Sequence, residues 1–239
     1  MENGRGASQR WLEIGPERIE GWLQSFAVRH GATVATVDDR REIVTVRAAD
    51  ASIAECHIPF PPLPPAGCSP AHLAAHAGAD RTVAVLLVRL GGYAAGVFSG
   101  APPRLVASKV GSRLVHGRSA AGGTSQHRFA RRREKQAREA LEAAADCAVG
   151  VFGPVGDELD ALVLGGDKRA MAALRDDVRL RPYFDIAVDR FLTVPDPRLA
   201  VLQGTPRLFR AVRVRLTDTA ADRAGPGPET DSPDRSRLG

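Results

Sequence analysis

The sequence predicts an α+β fold: a mixed sheet with helices packed on it over residues 80–217, preceded by a small helix-plus-hairpin unit over residues 1–79. Three observations predict it. Three short apolar runs follow one another between residues 82 and 110, divided by glycine and proline turns, as in an antiparallel meander. A stripe of small apolar residues at helical spacing then runs from Ser125 to about Val149, followed by strand, helix and strand. Between these regions and the start of the chain stand Pro59, Pro61, Pro62, Pro64 and Pro65, a run that fits neither a helix nor a central strand and so reads as a linker or rigid crossover.

Residues 1–10 read as frayed. Pro16 to His30 reads as a helix, with Pro16 in its first turn, Ile19, Trp22, Leu23 and Phe26 at helical spacing, and Gly31 ending it. Residues 33–37 and 43–47 alternate around Asp38-Asp39-Arg40-Arg41, a hairpin pattern. After the prolines comes a short stretch at 72–77. The meander takes residues 82–88, 91–98 and 104–110, turning at Gly91-Gly92 and Pro102-Pro103. Residues 111–124 are rich in Gly, Ser and Ala and read as a loop. In the helix that follows, Ala130, Ala137, Leu141, Ala144 and Ala148 form one stripe, and Arg128, Arg131, Arg132 and Arg138 lie off it. Residues 161–164 form a short strand, and Gly165-Gly166-Asp167 turns into a helix reaching Arg175, with Asp167 as its N-cap. Residues 184–194 and 211–216 hold further strand-like pieces. The tail from Thr219 is Pro, Gly, Asp and Arg without aromatics and reads as disordered.

Composition narrows the class of protein. At 44% apolar and 26% charged over 239 residues, the chain has enough apolar side chains for a sizeable core. The longest apolar run, around Val83 to Val88, is too short to span a bilayer, and the first residues lack the apolar segment of a secretory signal. Three cysteines make no disulfide framework, so a reducing cytoplasm is expected, with no membrane partner. The net charge is +5, and only Lys109, Lys135 and Lys168 among the 33 cations are lysine. Arginine richness as such is discounted. Its distribution is not: residues 104–138 hold ten cations against Glu134 alone, so the rest of the chain is net acidic. Solvated helix faces normally mix signs, and a dense single-sign segment points to a polyanion.

The chemistry concentrates in residues 117–134, Gly-Arg-Ser-Ala-Ala-Gly-Gly-Thr-Ser-Gln-His-Arg-Phe-Ala-Arg-Arg-Arg-Glu. Gly122 and Gly123 allow a loop whose backbone another molecule can approach closely. The helix behind it begins with unpaired amides carrying partial positive charge. Arg118 precedes the glycines, and Arg128, Arg131 and Arg132 lie within the first two helical turns. Such a combination binds phosphates or a developing oxyanion. Gln126 contributes a neutral amide that both donates and accepts. It does not titrate near neutrality, so a reaction here proceeds by positioning and electrostatic stabilisation.

Gly122-Gly123 and Gln126, followed by His127-Arg128-Phe129-Ala130-Arg131, resemble the catalytic loop and helix of eukaryotic and archaeal peptide-chain release factors, where Gly-Gly-Gln precedes an Arg-Phe-Ala-Arg type run. Here the glutamine comes two residues later. That spacing is similar to the Vms-like release factor (VLRF) group, and more closely to its actinobacterial peptidyl-tRNA hydrolases. Leu162-Val163-Leu164-Gly165-Gly166-Asp167-Lys168 resembles the strand-to-helix turn of the release-factor central domain. The resemblance covers roughly residues 80–217. It implies a release-factor central-domain fold, peptidyl-tRNA as substrate, and the large ribosomal subunit and its RNA as partners, with no cofactor or metal. It implies Gly122, Gly123 and Gln126 as catalytic residues: Gln126 would set a water at the ester carbonyl, and a backbone N–H near it would steady the oxyanion. Eukaryotic relatives instead cut the tRNA near its 3′ CCA end, with an arginine cluster such as Arg128, Arg131 and Arg132 against the phosphate. The sequence does not separate the two. The 80 residues before the meander carry no recognisable stop-codon reader, so codon-independent rescue of stalled large-subunit complexes is the expected role. A non-catalytic RNA-binding module is the alternative of a different class.

Other signals are weaker. Cys56, His57, Cys68, His72 and His76 are the one cluster of ligand types, but no Cys-x-x-Cys is present and the prolines interrupt it. His127 is an acid/base type, though a lone helix histidine is more often a packing or surface residue. Gly165-Gly166-Asp167-Lys168 lacks the spacing of a phosphate-binding Walker loop.

Overall fold

The computed structural model describes residues 8–65, 67–89, 91–113 and 125–218, with side chains from residue 134 onward in the last segment. Two five-stranded sheets organise the α+β chain. The first is built from β1 (Ser8–Ile14), β2 (Thr33–Val37), β3 (Ile43–Ala48), β4 (Ile53–His57) and β10 (Val212–Asp218), in the order β1-β10-β4-β3-β2. The second contains β5 (Val83–Arg89), β6 (Gly92–Ser99), β7 (Arg104–Ser112), β8 (Ala161–Gly166) and β9 (Ala187–Leu192), in the order β7-β6-β5-β8-β9.

The first sheet is antiparallel throughout, and its strands alternate. Val44, Val46, Ala54, Cys56, Val212, Val214 and Leu216 point inward onto helices α1 (Pro16–His30) and α2 (Pro70–Gly78), which bury Ile19, Leu23, Phe26, Leu73 and Ala77 against them. Proline at the first turn and Gly31 at φ +87° bound α1 as its sequence requires. Strand β1 starts inside the stretch expected to fray, and β4 lies where the sequence reading has no strand. The strand expected at 211–216 is β10, and it pairs between β1 and β4 in this first sheet rather than continuing the second. Partners some 160–200 residues away hold these strands, and no local signal reports such pairing.

The second sheet is the meander plus two parallel strands. β5, β6 and β7 pair antiparallel, and β8 joins β5 in parallel with β9 beyond it. Both faces of its central strands are covered. Ala84, Leu86, Val88, Leu162 and Leu164 face the long helix α3 (Ser125–Phe152) and α4 (Lys168–Leu174), whereas Val83, Val85, Leu87 and Val163 face Leu202 and Phe209. Strands buried on two sides read as unbroken apolar runs, which is why residues 82–88 stand out in the sequence. Asp167 caps α4 as expected, its Oδ1 accepting from the Arg169 and Ala170 amides at 2.7 and 3.1 Å. Gly166 sits at φ +101°, and a Cβ there would come within 2.2 Å of the Val88 carbonyl oxygen, so glycine is obligatory at this turn.

The sheets dock through the end of the first and the edge of the second. Arg190 on β9 donates to the Ala211 carbonyl and reaches Glu13 on β1 at 3.3 Å. Phe60, in the proline-rich segment, meets Phe209 edge-on at 5.9 Å. The expected disordered tail from Thr219 lies outside the described residues, as does most of the expected loop at 111–124.

Candidate functional site

The site anticipated from sequence hangs on α3. This helix has 28 residues, so at 1.5 Å per residue it is about 42 Å long. Its second half packs. Ala140, Ala144, Ala145, Cys147, Ala148, Val151 and Phe152 are buried against the second sheet, with Phe152 edge-on to Tyr183 at 5.3 Å. Residues before Ala140 follow another rule. Glu134, Lys135, Ala137, Arg138 and Glu139 are exposed, and Gln136 is half-buried. Ala137, expected on the stripe, is exposed, whereas Leu141, Ala144 and Ala148 pack; the side chain of Ala130, the first residue expected on the stripe, lies outside the described residues.

Gln126 is the second residue of α3, fourteen residues before the packing starts. That places it about 21 Å along the helix from Ala140. Arg128, Arg131 and Arg132 occupy the next two turns of the same backbone. Gly122, Gly123 and Arg118 lie outside the described residues.

Charge is segregated along the helix. Its first half is arginine-rich, whereas Glu139, Glu142 and Asp146 follow where it meets the body. The acidic end is partly tied down: Lys135 pairs with Glu139 at 3.7 Å, and Arg179 bridges Asp146 at 2.6 Å and Asp177 at 2.7 Å. Glu139, Glu142, Ala143 and Asp146 line an open groove of about 330 Å³ with Arg113, whose amide donates to the Gly91 carbonyl at 2.8 Å. Arg104 and Lys109 stand exposed on β7, an edge strand. Along the backbone of α3 the basic residues thus come first and the acidic ones follow, a polarity suited to meeting a polyanion at the helix start.

The ligand-type residues of the first region are not brought together. Cys56 is fully buried in the first core, where burial pushes its thiol up to about 12. Cys68 donates to the Ala35 carbonyl at 3.6 Å, His72 Nδ1 meets Ser69 Oγ at 2.7 Å, and His76 Nε2 donates to the Phe60 carbonyl at 2.9 Å. Among the described residues no three His, Cys, Asp or Glu side chains are grouped to hold a metal. Gly165 and Gly166 serve the packing of β8, not a phosphate site.

One constellation has no counterpart in the sequence reading. Trp11 on β1 lies beside Arg213, Arg215 and His57 on the face of the first sheet opposite the helices. The residues are more than 150 positions apart at the extremes, and strand pairing alone assembles them. The signal that was present is the alternation Val212-Arg213-Val214-Arg215-Leu216, which puts two arginines on one face of a strand.

A family model described as the Actinobacteria/chloroflexi VLRF1 release factor matches residues 81–215. Among solved structures, the chain is similar to the Vms1 mitochondrial localization core, at 8% identity and TM-score 0.42, covering 72% of this chain and 75% of that one. It is also similar to the archaeal translation termination factor aRF1, at 12% identity and TM-score 0.40, covering 85% of this chain and 67% of that one. No curated protein matches. No helix among the described residues is long and apolar enough to cross a membrane.

Proposed function

The chain belongs to the actinobacterial and chloroflexi VLRF1 release-factor family, and from that premise we propose that it is a codon-independent peptidyl-tRNA hydrolase that frees nascent chains from stalled large-subunit complexes in the cytoplasm. The observation that carries this reading is the place of Gln126 on α3, fourteen residues ahead of Ala140, with the described residues between them exposed or half-buried. A catalyst for an ester buried within a large RNA particle needs reach, and a helix start set that far ahead of Ala140 supports it.

In this reading Gly122 and Gly123 let the loop approach the ester backbone-first. Gln126 accepts from the attacking water and holds it in line with the carbonyl between peptide and terminal ribose. An amide of the helix start donates to the oxyanion, where a preorganised donor contributes about 3–4 kcal/mol to the barrier. Water adds its oxygen to the acyl carbon, and the 3′-oxygen leaves with a proton relayed through the substrate's 2′-hydroxyl. Arg118, Arg128, Arg131 and Arg132 hold the surrounding phosphates of tRNA and ribosomal RNA.

A second reading is favoured by the two-residue displacement of Gln126 from the glycines and the arginine density beside it: attack of a tRNA 2′-hydroxyl on the neighbouring phosphate, cutting near the CCA end. Incubating stalled large-subunit complexes with the protein and sequencing the tRNA 3′ end decides between them. Peptide released with CCA intact supports hydrolysis; peptide still esterified to a short 3′ fragment overturns it in favour of nuclease action. Binding with neither product makes the chain a non-catalytic module, and strict dependence on a stop codon ends the rescue role.

A further inference from the structure

The geometry points to a second nucleic-acid surface, distinct from the arm: the uncovered face of the first sheet holds unpaired nucleotides of a single-stranded RNA by stacking a base on Trp11. The two faces of this sheet are chemically unlike. One is aliphatic and covered by α1 and α2. The other presents Trp11, Arg213, Arg215, Arg47 and His57; β9 and the proline-rich segment border a pocket at its His57–Arg213 end, and among the described residues no helix covers it.

Trp11 is 48% exposed, the largest of the exposed apolar side chains among the described residues. Burial of the ring inside the molecule is not what fixes it. It stands directly across from Arg215 in the strand register, and the Arg213 guanidinium lies over the indole 4.7 Å from its centroid. The His57 ring flanks it at 5.1 Å. One side of the indole is thus engaged by a cation, and the exposed remainder is free to take a flat, electron-poor ring. Stacking on a base supplies that partner and needs no particular sequence.

Charge selects the occupant. The two carboxylates that the strands carry on this face are already committed: Glu55 accepts from Arg215, which holds its carboxyl below the usual range, and Glu13 pairs with Arg190, while Glu42 and Asp189 line the pocket at its far end with Arg213. Arg213 and Arg47 are exposed and make no ion pair among the described residues. An aromatic platform with unneutralised guanidinium groups beside it fits bases strung on phosphates better than an apolar protein surface.

The test uses the whole chain carrying Trp22→Phe, which leaves Trp11 as the one tryptophan and its fluorescence as a local reporter. Titration with a ten-nucleotide single-stranded RNA should quench Trp11 saturably, less strongly as salt rises, and a duplex of the same length should not. By fluorescence anisotropy of a labelled oligonucleotide, Trp11→Ala should weaken binding about 5- to 150-fold, the loss of one stacked base. Trp11→Phe, which keeps a ring, should recover most of it. Oligonucleotide bound without quenching, equal quenching by the duplex, or a Trp11→Ala chain binding as tightly as its parent would each overturn the proposal, and the first would leave the arm as the sole RNA contact.

Discussion

Deleting residues 133–139 tests whether α3 acts as a ruler. Residues 134–139 of this segment are exposed or half-buried, and none of them belongs to the buried core that Ala140 joins. Seven residues are two turns less about 20°, so the remaining helix keeps its rotational phase. The segment holds three cations and two anions, so the net charge changes by one and binding to a polyanion is nearly preserved. What changes is length. Gln126 moves from about 21 Å to about 10.5 Å along the helix from Ala140. A misplacement of about 1 Å costs on the order of 100-fold in rate, so a 10 Å retreat should abolish release. The assay is single-turnover release of peptide from stalled large-subunit complexes, run beside a sedimentation assay for binding and a thermal melt. The expected outcome is unchanged melting, binding within a few-fold, and release at background. Release at the parental rate would refute the ruler and with it the role of helix length ahead of Ala140.

Three further outcomes follow from particular contacts. Exchanging Arg128 and Arg131 for Ala should weaken ribosome binding and flatten its dependence on log salt by about two charges, whereas an unchanged slope refutes their contact with phosphate. Gly166→Ala should destabilise by about 2–4 kcal/mol in chemical denaturation, because the added Cβ meets the Val88 carbonyl at 2.2 Å in a backbone conformation closed to alanine; a loss under 1 kcal/mol would show that the β8 turn relaxes freely. Burial raises the Cys56 and Cys147 thiols, Cys56 to about 12, so both stay protonated and shielded near pH 8, and Cys68 alone should react fast with a disulfide reagent. A fast phase surviving in Cys68→Ser would contradict that assignment.

Much of the fold could be read locally because it is built locally. Helix α1 announces itself by Pro16, Gly31 and a four-residue apolar stripe, and the meander by runs that are buried on both faces. Asp167 was legible because its cap is made by its own next three residues. The first sheet was only half legible. Ser8–Ile14 is short, edge-placed and largely exposed, and it becomes a strand because β10 arrives two hundred residues later. The motif drew attention to Gln126 and its arginines, but the exposure of residues 134–139 other than Gln136 was hidden: Ala137 keeps the helical spacing of the packed residues, so periodicity reports a stripe without saying what covers it. Trp11 and Arg213 were unreadable as a site for the same reason as β1, since only tertiary pairing makes them neighbours.

The account rests on Gln126 as the group that meets the ester. Single-turnover release on stalled large-subunit complexes, comparing the parent chain with Gln126→Ala at equal occupancy, tests this most directly. The parent should free the peptide and leave an intact CCA end, and Gln126→Ala should bind as well but release at least about 100-fold more slowly, as for loss of a group acting at the transition state. Equal release by the two chains, with equal binding, would contradict it.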